Sequence, residues 1–274
     1  MIVINAAVAL VLLGLVFLPL EKLWPAHRGQ RFFRPGFRTD LLHFLFTGAL
    51  TTICVFILAV PAVVAIQATT PDVLRDAVAA QPALVQFLEA LVILELVGYW
   101  SHRMMHTVPA LWRLHRVHHS SERLDWLAAA HLHPFDASFG RSLAVITLAY
   151  FGFSRATFGV ALVLLQFHAI FQHANFRVRF GPLNKVISSP QFHHWHHTND
   201  AGARDRNFAG LFPWIDALFG TRHLPDRAWP ETYGVDDPMP SGYLRQLASP
   251  FRRKNAETEV PLVMCVEGSQ TSLM

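Results

Sequence analysis

Residues 83–119 read ALVQFLEALVILELVGYWSHRMMHTVPALWRLHRVHH. The first eighteen form an apolar run interrupted by Glu89 and Glu95. A helix of about 20 apolar residues crosses the ~30 Å hydrocarbon core of a bilayer. The run passes without a break into His102-Arg103-Met104-Met105-His106, and then into His115-Arg116-Val117-His118-His119. On a helix His102 and His106 lie one turn apart on one face, and His115, His118 and His119 share a face at i, i+3 and i+4. A membrane helix that ends in two banks of imidazole predicts an all-α integral membrane bundle with a histidine-rich metal site at one side of the bilayer.

The rest of the chain extends both features. His193-His194-Trp195-His196-His197 repeats the spacing through His193, His196 and His197, while His168 and His173 close the apolar region before it. Residues 2–20, 41–66 and 143–173 are the other apolar runs, and Gly152-Phe153-Ser154-Arg155 breaks the last into a helical hairpin. The run 2–20 has neither a basic residue before it nor a small-residue cleavage site, and reads as a retained transmembrane helix rather than a signal peptide. Lys22, Arg28, Arg31, Arg34 and Arg38 fill the loop 21–40; Arg103, Arg113, Arg116, Arg123 and Arg141 follow the third run, and Arg177, Arg179 and Lys185 follow the hairpin. The loop 67–82 holds only Asp72, Arg75 and Asp76. Basic loops stay cytoplasmic. The N-terminus is therefore expected outside, and every histidine block on the cytoplasmic side.

Composition agrees. Charged residues make up 15% of the 274, against about 25% in soluble domains. The net charge of +4 belongs to segments flanking apolar runs, which favours a membrane partner over nucleic acid. Two cysteines, Cys54 and Cys265, cannot build a thiolate zinc site or a disulfide framework. Glu89 and Glu95 read as interior hydrogen-bonded acids or as functional intramembrane ones, Trp24, Trp112 and Trp126 as interfacial anchors, and Trp100, Phe167, Phe171 and Trp195 as helix packing or the walls of a substrate slot. From Lys254 the sequence has no period, and a poorly ordered tail is expected.

Sixteen histidines carry the chemistry. Neutral imidazole suits iron, copper, nickel and zinc. The three boxes supply eight imidazoles and His173 a ninth, about the number two ions need, whereas one zinc needs three or four. Residues at i and i+4 diverge slightly, so a single helical face is expected to serve both ions. His27, His43 and His223 read as ordinary polar residues, and His194 points about 100° away from its neighbours. His131 and His133 stay open between ligands and supporting groups. Glu122, Asp125, Asp200, Asp205 and Asp216 lie in segments that could accept from the far ring nitrogens. There is no His-Glu-x-x-His peptidase motif and no Glu-x-x-His pair of the soluble di-iron bundles. A membrane zinc hydrolase and a metal transporter or sensor remain as alternatives, although a transport path needs polar residues strung across the bilayer.

The three boxes resemble those of the fatty acid hydroxylase / sterol desaturase superfamily. So do His118-His119-Ser120-Ser121-Glu122, Phe171-Gln172-His173-Ala174-Asn175, Asn207-Phe208-Ala209-Gly210 and Asp216-Ala217-Leu218-Phe219-Gly220-Thr221. The resemblance covers about residues 35–225. It implies a membrane-bound non-haem di-iron oxygenase that hydroxylates or desaturates a C–H bond of a fatty acyl, sterol or related lipid, or cleaves an ether, using O2. The iron ligands it implies are His102, His106, His115, His118, His119, His193, His196 and His197, with His173 as ninth and His168 as tenth. No fused cytochrome b5 domain fits the chain, so electrons are expected from a separate donor, a ferredoxin or a cytochrome with its reductase. The expected organisation is an N-terminal helix and basic loop (1–40), a catalytic domain (41–225) and a cytoplasmic tail (226–274), in a bacterial inner membrane.

Overall fold

The computed structural model describes residues 2–226, 228–237 and 239–252. The expected tail from Lys254, and Cys265 with it, lies outside them. Among the described residues the chain is helical, with only isolated bridges between extended segments. In order come α1 (Ile2–Leu23), then α2 (Phe37–Leu42), which runs through a π-helical turn (His43–Thr47) into α3 (Gly48–Gln67). Next are α4 (Asp72–Ala79), α5 (Ala83–Thr107), α6 (Pro109–His119), α7 (Pro134–Phe151) and α8 (Arg155–His173). Three short helices complete the described residues: α9 (Pro190–His196), α10 (Pro213–Leu218) and α11 (Tyr243–Ala248).

Four helical stretches are long and apolar enough to cross a membrane: Ile4–Leu23, Phe37–Gln67, Ala83–Thr107 and Arg155–His173. Their outward faces carry large bare side chains such as Leu15, Phe56, Ile57 and Val163, which in water would cost about 25 cal/mol per Å2 of apolar surface. The expected hairpin is α7 and α8. Gly152 ends α7 in the left-handed region (φ 79°), where a Cβ would also stand 2.9 Å from the Arg75 side chain of α4. Ser154 then caps α8, its hydroxyl accepting from the Thr157 amide at 3.1 Å. α7 packs along α3, and α8 packs against α5 and α9.

Glu95 faces the interior as expected. Its carboxylate accepts from the amides of Leu211 and Phe212, the second at 3.1 Å, and so ties α5 to the loop before α10. Glu89 accepts from Gln81 at 3.1 Å. Trp126 is not an interfacial anchor. It is 3% exposed, stacked on Phe17 of α1 at 6.3 Å and edge-on to Phe44. The 3-10 turn Trp126–Ala130 plugs the space between α1, α2 and α8, and the tryptophan is its apolar core. Trp24 is 55% exposed at the end of α1, as an anchor should be. Trp112 instead turns its ring to His106 and His119, at 5.1 and 5.5 Å.

Candidate metal centre

The histidine helices meet at one end of the bundle. α5 carries His102 and His106 in its last two turns. Val108 then adopts extended backbone, and Pro109, fixed in φ and lacking an N–H, opens α6. α9 likewise opens with a proline, Pro190, behind the Ser189 cap, whose hydroxyl accepts from the Phe192 amide at 3.4 Å. His173 ends α8.

The nine imidazoles of the boxes and His173 fall into two groups. His102, His106, His115, His119 and His196 form the first; His118, His173, His193 and His197 form the second, and within each the nearest ring nitrogens lie within 4.8 Å of one another. The division corrects the expected role of the spacing. The i and i+4 residues do not part; they stay together, and the i+3 residue goes to the other group. At 100° per residue, i+4 lies about 40° from i, while i+3 lies about 60° away on the opposite side. α6 therefore gives His115 and His119 to the first group and His118 to the second. α9 does the reverse, giving His193 and His197 to the second group and His196 to the first.

The hydrogen bonds fix where the lone pairs point. The Nδ1–H of His102 donates to the Phe208 carbonyl at 2.8 Å. His196 donates likewise to Arg206 (2.8 Å), His118 to His131 (3.1 Å) and His173 to Ala169 (2.7 Å). His106 and His115 donate to the carboxylates of Asp205 and Asp136, both at 2.9 Å. A neutral imidazole has one N–H, so each of these six presents an Nε2 lone pair to the centre. His102 and His115 then face each other Nε2 to Nε2 at 3.1 Å, and so do His118 and His173. Neither pair has a proton between its nitrogens. His193 and His197 bring their Nε2 atoms to 3.2 and 3.1 Å from that of His173. The Nε2 atoms of His106 and His196 are buried with no hydrogen-bond partner. Converging lone pairs repel unless a cation lies among them, and nitrogens about 2.1 Å from one ion stand about 3.0–3.4 Å apart. The donor set fits metal ions.

Burial holds the imidazoles of His118, His119, His193, His196 and His197 well below the ordinary value of 6.5, and neighbouring histidines push each further down. The neutral form that binds metal is thus the form the fold favours. Asp205 is lowered by the hydrogen bond from His106. A polar cavity of about 370 Å3 adjoins the first group, with His106, His119, His196 and Trp112 in its wall.

Of the five acids read as supports, Asp205 alone accepts from a boxed imidazole among the described residues. Asp216 acts one step removed, accepting from the amides of Phe208 and Ala209 at 2.7 and 2.9 Å and so holding the carbonyl that receives His102. Asp125 serves the second group. It binds Arg34 through two 2.6 Å contacts and caps the Trp126 turn. Arg34 also pairs with Asp40 (2.7 Å), which holds the His131 ring at 2.5 Å. That chain places the His131 carbonyl under His118. Asp200 only turns its own loop, accepting from Gly202 at 2.9 Å, and Glu122 packs by Gly234. Sequence reading missed Asp136. Its signal was an acid in the first turn of the helix after the second box. It also missed the four carbonyls, for which no side-chain signal exists.

The remaining histidines lie outside both groups. His168 bonds Ser188 Oγ at 2.8 Å. His133 caps α7 and donates to the Leu247 carbonyl at 3.1 Å. His43 joins Thr47 to Gln246, both at 3.0 Å. His194 points away as expected, donating to the Ala174 carbonyl at 3.1 Å and sharing Tyr233 OH with His27. His223 stacks edge-on to Trp195 at 5.1 Å.

A family model described as fatty acid hydroxylase matches residues 87–221. Ornithine lipid hydroxylase OlsE of Rhizobium tropici is 31% identical over 267 residues, which take in 92% of this chain and 76% of that protein. Alkylglycerol monooxygenase of Homo sapiens is 33% identical over 147 residues, 52% of this chain and 31% of the human one. Very-long-chain aldehyde decarbonylase GL1-11 of Oryza sativa subsp. japonica is 27% identical over 138 residues, half of this chain and 52% of the plant one. No solved structure matches.

Proposed function

The chain belongs to the fatty acid hydroxylase family, and on that premise we propose that it is a di-iron oxygenase that hydroxylates or desaturates the acyl chain of a membrane lipid. The observation that carries this reading is the pair of imidazole groups whose lone pairs converge in neutral form. His102, His106, His115, His119 and His196 would hold one iron, and His118, His173, His193 and His197 the other. His168, against Ser188, is the weakest candidate in the set. Iron bound there would supply O2 activation and attack on the C–H bond.

The chain's own residues do the rest. The carbonyls of Phe208, Arg206, His131 and Ala169 and the carboxylates of Asp136 and Asp205 hold each Nδ1 proton away from the metal face, which orients the ring and raises its basicity. An apolar cleft of about 610 Å3 between α1, α3, α7 and α8 includes Leu12, Val55, Phe158, Phe167 and Ile170. Ile170 stands one turn before His173, so the cleft suits an acyl chain entering from the bilayer and keeps water from the reacting carbon. Basic residues crowd the end of the bundle that bears the histidines, which supports the cytoplasmic side of an inner membrane. Electrons would come from a separate ferredoxin or cytochrome with its reductase. The reading keeps residues 41–225 as the catalytic unit, with 1–40 and 226–274 as its flanks. The likeness to an ornithine lipid hydroxylase makes amino-acid lipids the first substrates to try.

The test is metal analysis with Mössbauer spectroscopy on protein from iron-57-grown cells, followed by turnover of acyl lipids under O2. About two coupled irons per chain and an O2-dependent gain of hydroxyl or double bond are expected. One zinc, or O2-independent hydrolysis, would overturn the proposal in favour of a hydrolase, and O2-independent metal uptake into vesicles in favour of a transporter.

A further inference from the structure

Where the chain leaves α8, a pocket of about 420 Å3 is walled by Arg177, Arg179, Lys185, Arg222, Asn184 and Gln191. Asp226 is the acid in its wall, so four cations stand against one carboxylate. Arg179, Lys185 and Arg222 form no ion pair among the described residues. Arg177 is partly engaged, donating to the Ala26 carbonyl at 3.1 Å and lying 5.9 Å over the Trp229 ring. The pocket also has a polar floor. Gln191 is fixed by the carbonyls of Pro225 and Ala228. Asn184 is 9% exposed, and its side-chain oxygen has no hydrogen-bond partner. Asn184 is itself in the pocket wall, so its amide stands beside the space a ligand would fill. Unspent cationic donors and a buried amide in one concavity call for a compact anion rich in acceptors, and a phosphate is the group that matches.

Its surroundings say where the phosphate comes from. Arg177 follows the end of the spanning helix Arg155–His173 by four residues, and its amide is bonded to the carbonyl of Trp24 at 2.7 Å, just past the end of α1. Trp24 is 55% exposed, and beside the cations Leu183, Val186 and Ile187 are 60%, 52% and 37% exposed. Bare apolar residues next to cations at the end of two spans mark the depth at which headgroup phosphates lie. We propose that this pocket binds the phosphate of an anionic phospholipid, as a lipid site separate from the metal centre. The proposal rests on the membrane reading of the helices and not on the iron chemistry, so the two fail separately.

The test is native mass spectrometry of the full chain, released from micelles holding equal phosphatidylglycerol and phosphatidylcholine. The wild type should retain phosphatidylglycerol preferentially. Three cations near a membrane surface are worth about 1 kcal/mol each, so Arg179→Ala/Lys185→Ala/Arg222→Ala should lose about a hundredfold of that preference, while phosphatidylcholine retention and iron content stay unchanged. Asn184→Asp, a single isosteric change that brings a carboxylate to the floor, should lower the preference in the same sense. Equal retention of both lipids by the wild type, or an unchanged preference in both variants, would overturn the proposal. So would displacement of the lipid by millimolar inorganic phosphate, which would make this a site for free phosphate. A triple variant that kept its lipid but lost binding to an acidic ferredoxin would make it a protein dock instead.

Discussion

The two imidazole groups are built from the same residue type but supported differently. The first leans on two carboxylates, Asp136 and Asp205, besides the carbonyls of Phe208 and Arg206, and borders a polar cavity. The second leans on the carbonyls of His131 and Ala169, and all four of its histidines are buried. Two of its rings, His193 and His197, have Nδ1 atoms with no partner. A carboxylate raises the basicity of the imidazole it holds more than a neutral carbonyl does. The first group is thus the more electron-rich and the more accessible, and the second is the enclosed one. Two ions in these groups should differ in exchange rate and in response to acid.

The largest effect should come from the odd histidine of α6 and that of α9. His118→Ala and His196→Ala should each lower activity by at least about a hundredfold, and iron per chain should fall well below that of the wild type. Full activity in His118→Ala would break the division into groups. Arg34→Ala comes next, through stability. It strands Asp40 and Asp125, both buried, and breaking such a network costs about 3–5 kcal/mol; thermal unfolding in detergent would show it. Asp136→Ala should weaken iron retention about 10–100-fold. Asp205→Ala should weaken it less, because Asp205 is largely exposed on the cavity rim, at 67% of its side chain. Chelator competition would compare the two, and equal losses would erase the distinction between buried and rim support.

Acid should act on both groups. In chelated protein the imidazoles of His118, His119, His193, His196 and His197 sit well below 6.5 in the folded state, while in the unfolded chain they return to about 6.5. Below that pH the unfolded state binds more protons, so stability falls as pH drops. The thermal midpoint should decline from pH 7 to 5, and a flat profile would contradict the burial of the groups. The smallest effect should be that of His168→Gln, which can keep the contact with Ser188 and should retain both irons on metal analysis.

What the sequence disclosed follows from what is local. The period of the boxes, the apolar runs and the break at Gly152 are short-range, and the helices and the convergence of the imidazoles follow from them. The allocation of His118 and His196 to opposite groups was within reach of helical geometry, had the 40° and 60° offsets been applied. The acceptors were not. Phe208 lies 106 residues from His102, and Arg34 lies 91 from Asp125; a backbone carbonyl leaves no trace in residue identity. Trp126 misled because an aromatic near a membrane end reads as an anchor, and only the packing of α1 against the Trp126 turn shows it to be interior.

The exchange of one histidine between α6 and α9 has a consequence for assembly. Because each of these helices contributes to both imidazole groups, the loss of an ion from either group would free a ring on a helix that the other group still needs. Ion occupancies become linked quantities, and metal binding is at the same time folding free energy for this end of the bundle. Loading should be close to all-or-none. In iron-poor cells the population should divide into empty and doubly filled chains, with few half-filled ones, and an iron titration should rise more steeply than two independent sites allow.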